Sequence, residues 1–100
     1  MYFAGTECEI IKGNYQNGRT CLRLFSPNEG PMAVATVNMP GINLEDDEVI
    51  IKDYAENEGM LDLLLQEGIV TEIVGIAESG YVKCPICKLN AQKVEKMPKI

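Results

Sequence analysis

Two cysteines near the end of the chain, Cys84 and Cys87, enclose a proline and an isoleucine. Thiolates at this spacing can supply two ligands to zinc or to an iron–sulfur cluster, which takes about four ligands in all. The chain has no histidine, and its other cysteines are Cys8 and Cys21. At about 3.4 Å per residue of a predicted hairpin, Cys8 and Cys21 lie roughly 20 Å apart, so one metal cannot bind both. Carboxylates or a second chain would have to complete such a site.

A redox role for the same pair needs a different setting. Thioredoxin-like pairs lie at the N-terminus of a helix, which lowers the thiol pKa, whereas Cys84 and Cys87 fall in a predicted strand. Free cysteine usually behaves as a small buried apolar residue. We therefore interpret the four cysteines as structural thiols and expect no cofactor. A metal- or small-molecule-binding domain that uses Cys84 and Cys87 is the alternative function.

Carboxylates are concentrated between Glu45 and Glu78, where eleven acidic residues oppose one basic residue, Lys52, and the net charge is −10. The chain from Ser79 onward carries +4, and the whole chain carries −6. The run Glu45–Glu48 lacks the alternating ligands and the glycine of a calcium-binding loop. No serine lies beside a base, and no glycine-rich loop is present to hold phosphate. The sequence therefore predicts no enzymatic activity.

Several of these carboxylates come from one loop and the helix after it, and we expect them to share one side of the domain. This predicted acidic face consists of Asp46, Asp47, Glu56, Glu58 and Asp62. Although charge runs usually mark solvated surface, such a face repels nucleic acid and attracts basic grooves of other proteins. The pattern predicts an interaction protein whose acidic face docks on a basic, nucleic-acid-binding protein.

The helix and strands that carry these residues are predicted from hydrophobic periodicity. The β-branched run Val49–Ile51 predicts a strand buried on both faces. Helical spacing follows from about Asn57, after a turn over Asp53–Glu56, and Gly68 is typical of a left-handed helix terminus. The apolar stripe of this helix consists of Met60, Leu61, Leu64 and Leu65.

The dipeptide Asn17-Gly18 predicts a two-residue hairpin turn between arms at about Glu7–Gln16 and Arg19–Phe25. Its expected core face carries Ile11, Tyr15, Leu22 and Leu24. The other predicted strands are Met32–Asn38, Glu48–Lys52, Ile69–Ala77 and Tyr81–Leu89.

Together these elements predict an α+β fold, a mostly antiparallel twisted sheet of about six strands with one helix in the order ββββ-α-ββ. Residues 1–89 are predicted to form a single domain, and residues 90–100 are predicted to form a lysine-rich flexible tail.

The stretch Ile51–Leu61, followed by Gly68–Val70, resembles a signature of domain-of-unknown-function family 4313. The members are short proteins of phages and conjugative elements, notably those of gut bacteria. The likeness extends from about Leu24 to Leu89. The family has no established activity that could be carried over to a residue. The resemblance implies a cytoplasmic accessory protein of a mobile genetic element.

Composition agrees with a cytoplasmic location. The chain has no run of about 18 apolar residues that would cross a membrane, and its start lacks the pattern of a signal peptide. Cysteines of such a protein stay reduced. The sequence thus predicts a non-enzymatic accessory protein, a monomer or weak homodimer. It is expected to block a basic nucleic-acid-binding host protein without contacting nucleic acid or membrane itself.

Overall fold

The computed structural model describes residues 1–99, which form nine β-strands, one main α-helix and a short second helix. A 3₁₀ turn, Ala55–Asn57, precedes the main helix. The elements are β1 Tyr2–Phe3, β2 Thr6–Glu7, β3 Glu9–Asn14, β4 Thr20–Ser26, β5 Gly30–Val34, β6 Thr36–Val37, β7 Glu48–Ile51, α1 Met60–Gln66, β8 Val70–Ser79, β9 Val82–Leu89 and α2 Ala91–Glu95.

The strands form three antiparallel sheets. Strands β1 and β2 make a small hairpin, the second sheet has the order β3-β4-β5, and the third has the order β6-β7-β9-β8. The predicted α+β class with mostly antiparallel sheet is confirmed. The prediction of about six strands in the order ββββ-α-ββ is wrong, because residues 1–99 contain nine strands in three sheets and the chain order differs. None of the helices in residues 1–99 is long and apolar enough to span a membrane.

The predicted strand Met32–Asn38 is interrupted at Ala35, where the chain passes from the second sheet to the third. The Ala35 N–H donates to the Leu22 carbonyl at 2.8 Å, and the Ala35 carbonyl accepts from the Lys52 N–H at 2.8 Å. Ala35 is completely buried. One residue is therefore hydrogen-bonded to both sheets, and its small side chain lets them approach.

The β3–β4 hairpin has a three-residue loop instead of the predicted two-residue turn. The Tyr15 N–H donates to the Arg19 carbonyl at 2.8 Å, and the Gly18 N–H donates back to the Tyr15 carbonyl at 2.9 Å. Gly18 has a φ of 85°, which glycine adopts without strain. The strand register is consequently shifted by one residue, and Asn14 pairs with Thr20.

A shift of one residue moves side chains to the opposite face of a strand. On β3 the buried residue is Ile10, whereas Ile11, predicted for the core, is only half-buried. On β4 the prediction is correct, since Leu22 and Leu24 are buried. The Tyr15 hydroxyl lies 2.8 Å from Thr36 Oγ1, and burial raises the pKa of Tyr15 to about 12.

Helix α1 begins at Met60, later than expected, because Gly59 has a φ of 95° and interrupts the helical backbone. Asp53 Oδ1 accepts the Leu61 N–H at 3.0 Å and so caps the first turn. At the other end Gly68 has a φ of 69° and its N–H donates to the Leu65 carbonyl, as is usual where a helix ends in a left-handed residue. The predicted terminus at Gly68 is confirmed.

Helix α1 and strand β7 share the main hydrophobic core. Leu64 and Ile51 are completely buried in it. Val49 and Ile51 belong to the main core, whereas Ile50, between them, belongs to a second cluster on the opposite face of the third sheet. The prediction that this strand is buried on both faces is confirmed.

The segment expected to be a flexible tail contains the short helix α2. Asn90 caps this helix, with its side-chain oxygen accepting the Lys93 N–H at 3.4 Å. Val94 is buried in the main core, and the Lys12 N–H donates to the Pro98 carbonyl at 2.9 Å. The end of the chain therefore packs on β3 as far as it is described. The last residue of the predicted tail, Ile100, lies outside the described residues.

Replacing Ala35 with leucine should lower the free energy of unfolding by about 1–3 kcal/mol, because Ala35 is completely buried where the two sheets meet and a larger side chain would overpack the site. Urea denaturation measures the loss. Ala91→Leu, at an exposed position, is the matched control and should change stability by less than about 0.5 kcal/mol. An Ala35→Leu variant as stable as this control would contradict the assigned junction.

Replacing Leu64 with alanine should cost about 2–5 kcal/mol, since the side chain is completely buried. Denaturant titration of Leu64→Ala beside the exposed-site control Gln66→Ala provides the comparison. A loss below roughly 0.5 kcal/mol for Leu64→Ala would show that this face of α1 is not core.

Candidate partner-binding surface

Cys84 and Cys87 both lie on β9, and both are completely buried. Residues three apart on a regular strand point to opposite faces. Accordingly, Cys87 belongs to the main core and Cys84 to the second cluster, with Ile50 and Ala77. The strand does not bring the two thiols together on one metal.

The surroundings of the two thiols also suppress their reactivity. Burial raises the pKa of Cys84, while burial and the charge of Asp53 raise the pKa of Cys87 to about 11. Since the thiolate is the nucleophile and the metal ligand, such thiols are unreactive near neutral pH. Within residues 1–99, no cluster of three or more cysteine, aspartate or glutamate side chains is arranged to hold a metal ion.

The five residues of the predicted acidic face are distributed over two places. Asp46 and Asp47 precede β7, whereas Glu56 and Glu58 follow it, and the four-residue strand between them spans roughly 13 Å. Asp62 lies in the first turn of α1 and is exposed. All five reach the surface at least in part, and no hydrogen bond or ion pair joins Asp46 or Asp47 to the other three.

Two of these carboxylates are paired with lysines. Glu56 Oε1 lies 2.5 Å from Lys52 Nζ, four residues earlier in the chain. Asp47 Oδ2 lies 3.2 Å from Lys88 Nζ on β9. Both pairs are partly exposed to solvent, so they contribute little to stability, and they reduce the local negative charge.

Carboxylates from two elements converge where β7 begins. The hydrogen bond to Asp47 and the charges of Asp47, Glu48 and Glu72 raise the pKa of Lys88. We call the resulting surface the acidic end and define it as Glu45, Asp46, Asp47, Glu48 and Glu72. Arg19 borders it across a polar depression of about 370 Å³.

Sequence reasoning missed Glu72, because the run 45–48 and strand β8 are far apart in the chain. Five carboxylates thus adjoin two cations, Lys88 and Arg19, and the acidic end keeps an excess of negative charge.

An exposed apolar strip adjoins the acidic end along β8. Ile73, Val74 and Ile76 have exposed fractions of 50%, 42% and 57%, and Ile73 directly follows Glu72. Exposed apolar residues that are contiguous frequently mark binding sites. Sequence reasoning assigned this stretch to a strand without recognising its exposure. No local signal revealed the exposure, because a run without polar alternation is typical of a strand buried on both faces.

A separate apolar groove of about 480 Å³ crosses the outer face of the sheet β3-β4-β5. Arg23 is the only charged residue in its lining, which includes Phe25 and Met32. A single guanidinium surrounded by apolar side chains provides neither a nucleophile nor an acid–base pair. The groove is also formed by a different sheet from the one that carries Cys84 and Cys87.

Comparisons of the chain with protein-family models, with curated proteins and with solved structures found no match. The resemblance to family 4313 accordingly stays a prediction.

The thiols of Cys84 and Cys87 should react with iodoacetamide at pH 8 only as fast as the protein opens, because burial keeps them protonated. Peptide mapping by mass spectrometry measures the labelling at each cysteine. Protein unfolded in urea is the control and should be labelled at all four cysteines within minutes.

Rapid labelling of either thiol in the folded protein would contradict this assignment. So would a zinc-dependent rise in melting temperature that disappears in Cys84→Ser, since that result would reveal a metal bound at β9.

Proposed function

We propose that the protein is a non-enzymatic interaction protein that binds a basic partner protein through its acidic end. The observation that supports this proposal is the position of Lys88 on β9 between Glu48 of β7 and Glu72 of β8, its partners in the strand register, with Asp47 Oδ2 3.2 Å from its ammonium group. Asp46 lies beside them and is exposed. Lys88 and Arg19 neutralise only part of this charge, so the surface attracts cations.

A protein partner fits this surface better than the other classes of ligand. Phosphate groups of nucleic acid carry the same sign of charge and are repelled. A small ligand or metal bound through Cys84 and Cys87 would need thiols that face one another, whereas these two lie on opposite faces of β9. A basic protein surface gains both electrostatic attraction and apolar contact with the adjoining strip.

The biological role we propose is competition with nucleic acid. A basic groove that binds phosphate groups also binds a compact acidic domain, and occupancy of the groove by one excludes the other. In the cytoplasm of a cell that carries a mobile element, such competition would block a host protein acting on nucleic acid. The resemblance to family 4313 supports this setting.

The proposal is tested with two variants that change charge equally at different places. The double variant Asp46→Lys with Glu72→Lys reverses the charge of two side chains at the acidic end. The double variant Glu58→Lys with Asp62→Lys reverses the charge of two exposed side chains beyond the far end of β7. Tagged wild-type protein captures the partner from a lysate of the native host, and association with the purified partner is then followed by surface plasmon resonance. Reversal of the acidic end should slow association about tenfold or more at low salt, since electrostatic steering is lost.

The charge-matched variant Glu58→Lys with Asp62→Lys should associate at close to the wild-type rate. An oligonucleotide added to the captured complex should displace the protein. The proposal fails if both variants associate as fast as the wild-type protein across a salt titration, or if the captured partner has no basic surface.

A further inference from the structure

Strand β8 lies at the edge of the third sheet. It has ten residues and pairs only with β9 among the strands of residues 1–99. The hydrogen-bonding groups on its outer side therefore have no strand partner in the described part of the chain. Proteins usually protect such edges with charged side chains, especially lysine, or with proline, bulges or a covering segment. Strand β8 contains neither lysine nor proline.

Two bulges change which side chains of β8 share a face. The register with β9 shifts between Val70 and Glu72 and again between Ile73 and Gly75, so β8 contains one extra residue at each place. Ile73 consequently pairs with Cys87, and Ile76 pairs with Pro85.

Cys87 and Pro85 are two residues apart on β9 and lie on the same face. Ile73 and Ile76 therefore also share a face, although three residues separate them in sequence. Val70, at the start of β8, lies on the same face and is buried in the main core. Helix α1 does not extend over Ile73 and Ile76, which remain half-exposed. The result is an apolar strip beside a free strand edge.

Charge complementarity indicates what fits this edge. Two exposed glutamates accompany the strip. Glu78, opposite Lys83, lies on the same face as Ile73 and Ile76, whereas Glu72, opposite Lys88, lies on the other face of the sheet. Strand β8 has no basic residue. Each glutamate lies opposite a lysine of β9 in the register, but among residues 1–99 neither forms an ion pair with it. Glu72 also belongs to the acidic end, so the edge continues the surface that attracts basic partners. A second copy of the chain would bring the same glutamates and a net charge of −6 to the contact.

We propose that β8 binds an extended, lysine- or arginine-bearing segment of a partner protein by adding it as a further strand of the third sheet. Backbone hydrogen bonds along the edge hold the segment. Ile73 and Ile76 contact its apolar side chains on one face of the sheet, and Glu72 pairs with its basic side chains on the other. This inference rests on the proposed function and specifies how the partner is held.

The probe for this site is an acetylated and amidated octapeptide in which lysine and valine alternate, with a fluorescent label. Its binding to the whole protein is followed by fluorescence anisotropy. We expect saturable binding of one peptide per chain. The same peptide with every residue N-methylated retains charge and side chains but lacks backbone donors. It should bind at least about tenfold more weakly, as should a peptide with glutamate in place of lysine.

The matching protein variant is Ile73→Thr with Ile76→Thr, which keeps β-branched residues but removes apolar surface. Its affinity for the lysine–valine peptide should fall about tenfold. Val34→Thr, an exposed valine of β5 that lines the separate apolar groove, is the control and should bind as the wild-type protein does. Circular dichroism checks that both variants are folded.

Several outcomes would overturn the strand-addition inference. Equal binding of the N-methylated peptide, equal binding by the isoleucine variant, or a loss confined to Val34→Thr would each place the peptide elsewhere. Sedimentation that shows a dimer of the wild-type protein, abolished in the isoleucine variant, would assign the edge to a second copy.

The two proposals fail separately. If the isoleucine variant captures the natural partner normally while the reversed acidic end does not, the proposed function stands and strand addition fails. If the lysine–valine peptide binds the edge but no basic partner depends on the acidic end, strand addition stands and the proposed function fails.

Discussion

The two hydrogen bonds of the Ala35 backbone hold the two larger sheets at a fixed separation. One bond joins β4 and the other joins the residue that follows β7, so neither sheet can move without breaking a buried bond. The Tyr15 hydroxyl, bonded to Thr36, reinforces the same junction from the β3–β4 hairpin. Because α1 packs into the core that both sheets share, its position depends on this separation as well.

Arg19 connects the acidic end to the β3–β4 hairpin. This residue lies just before β4, and its guanidinium donates to the carbonyl groups of Met39 and Ile42 in the loop that leads to β7. The loop ends in the run 45–48, where Glu48 Oε1 accepts the Glu45 N–H at 2.8 Å. The residue that directly precedes β4 thus positions the loop that carries the run 45–48. Hydrogen bonds between side chains and backbone groups hold this charged surface, and the lysine pairs reduce its negative charge.

Features that depend on neighbouring residues were predictable from the sequence. Three β-branched residues in a row predicted the burial of β7 on both faces, and Gly68 predicted the end of α1. Each of these features is determined by a few consecutive residues. The hairpin register was not predictable, since Asn17-Gly18 is compatible with loops of two or three residues. The division at Ala35 was also hidden, because β5 and β6 form a continuous β-like run in sequence.

The candidate surface was predictable only in part, because it depends on strand pairing between residues that are far apart in the chain. Proximity in the chain suggested that Asp46 and Glu58 share a face; Asp46 precedes β7 and Glu58 follows it. Glu72 joins Asp47 and Glu48 only through the pairing of β8 with β9, which no local pattern encodes. The exposure of Ile73 and Ile76 depends on the two bulges and on the short length of α1. That the cysteines of β9 face opposite ways does follow from strand periodicity, once the strand is assigned.

The free edge of β8 has a consequence for the protein before any partner arrives. An exposed strand that presents isoleucine is the kind of segment from which amyloid-like stacking and precipitation begin. Glu72 and Glu78, at either end of the apolar strip, act as gatekeepers, because repeated stacking of identical chains would bring like charges together. The bulges add to this protection by making the edge irregular. Substitutions that remove these glutamates would therefore threaten solubility, whatever their effect on recognition.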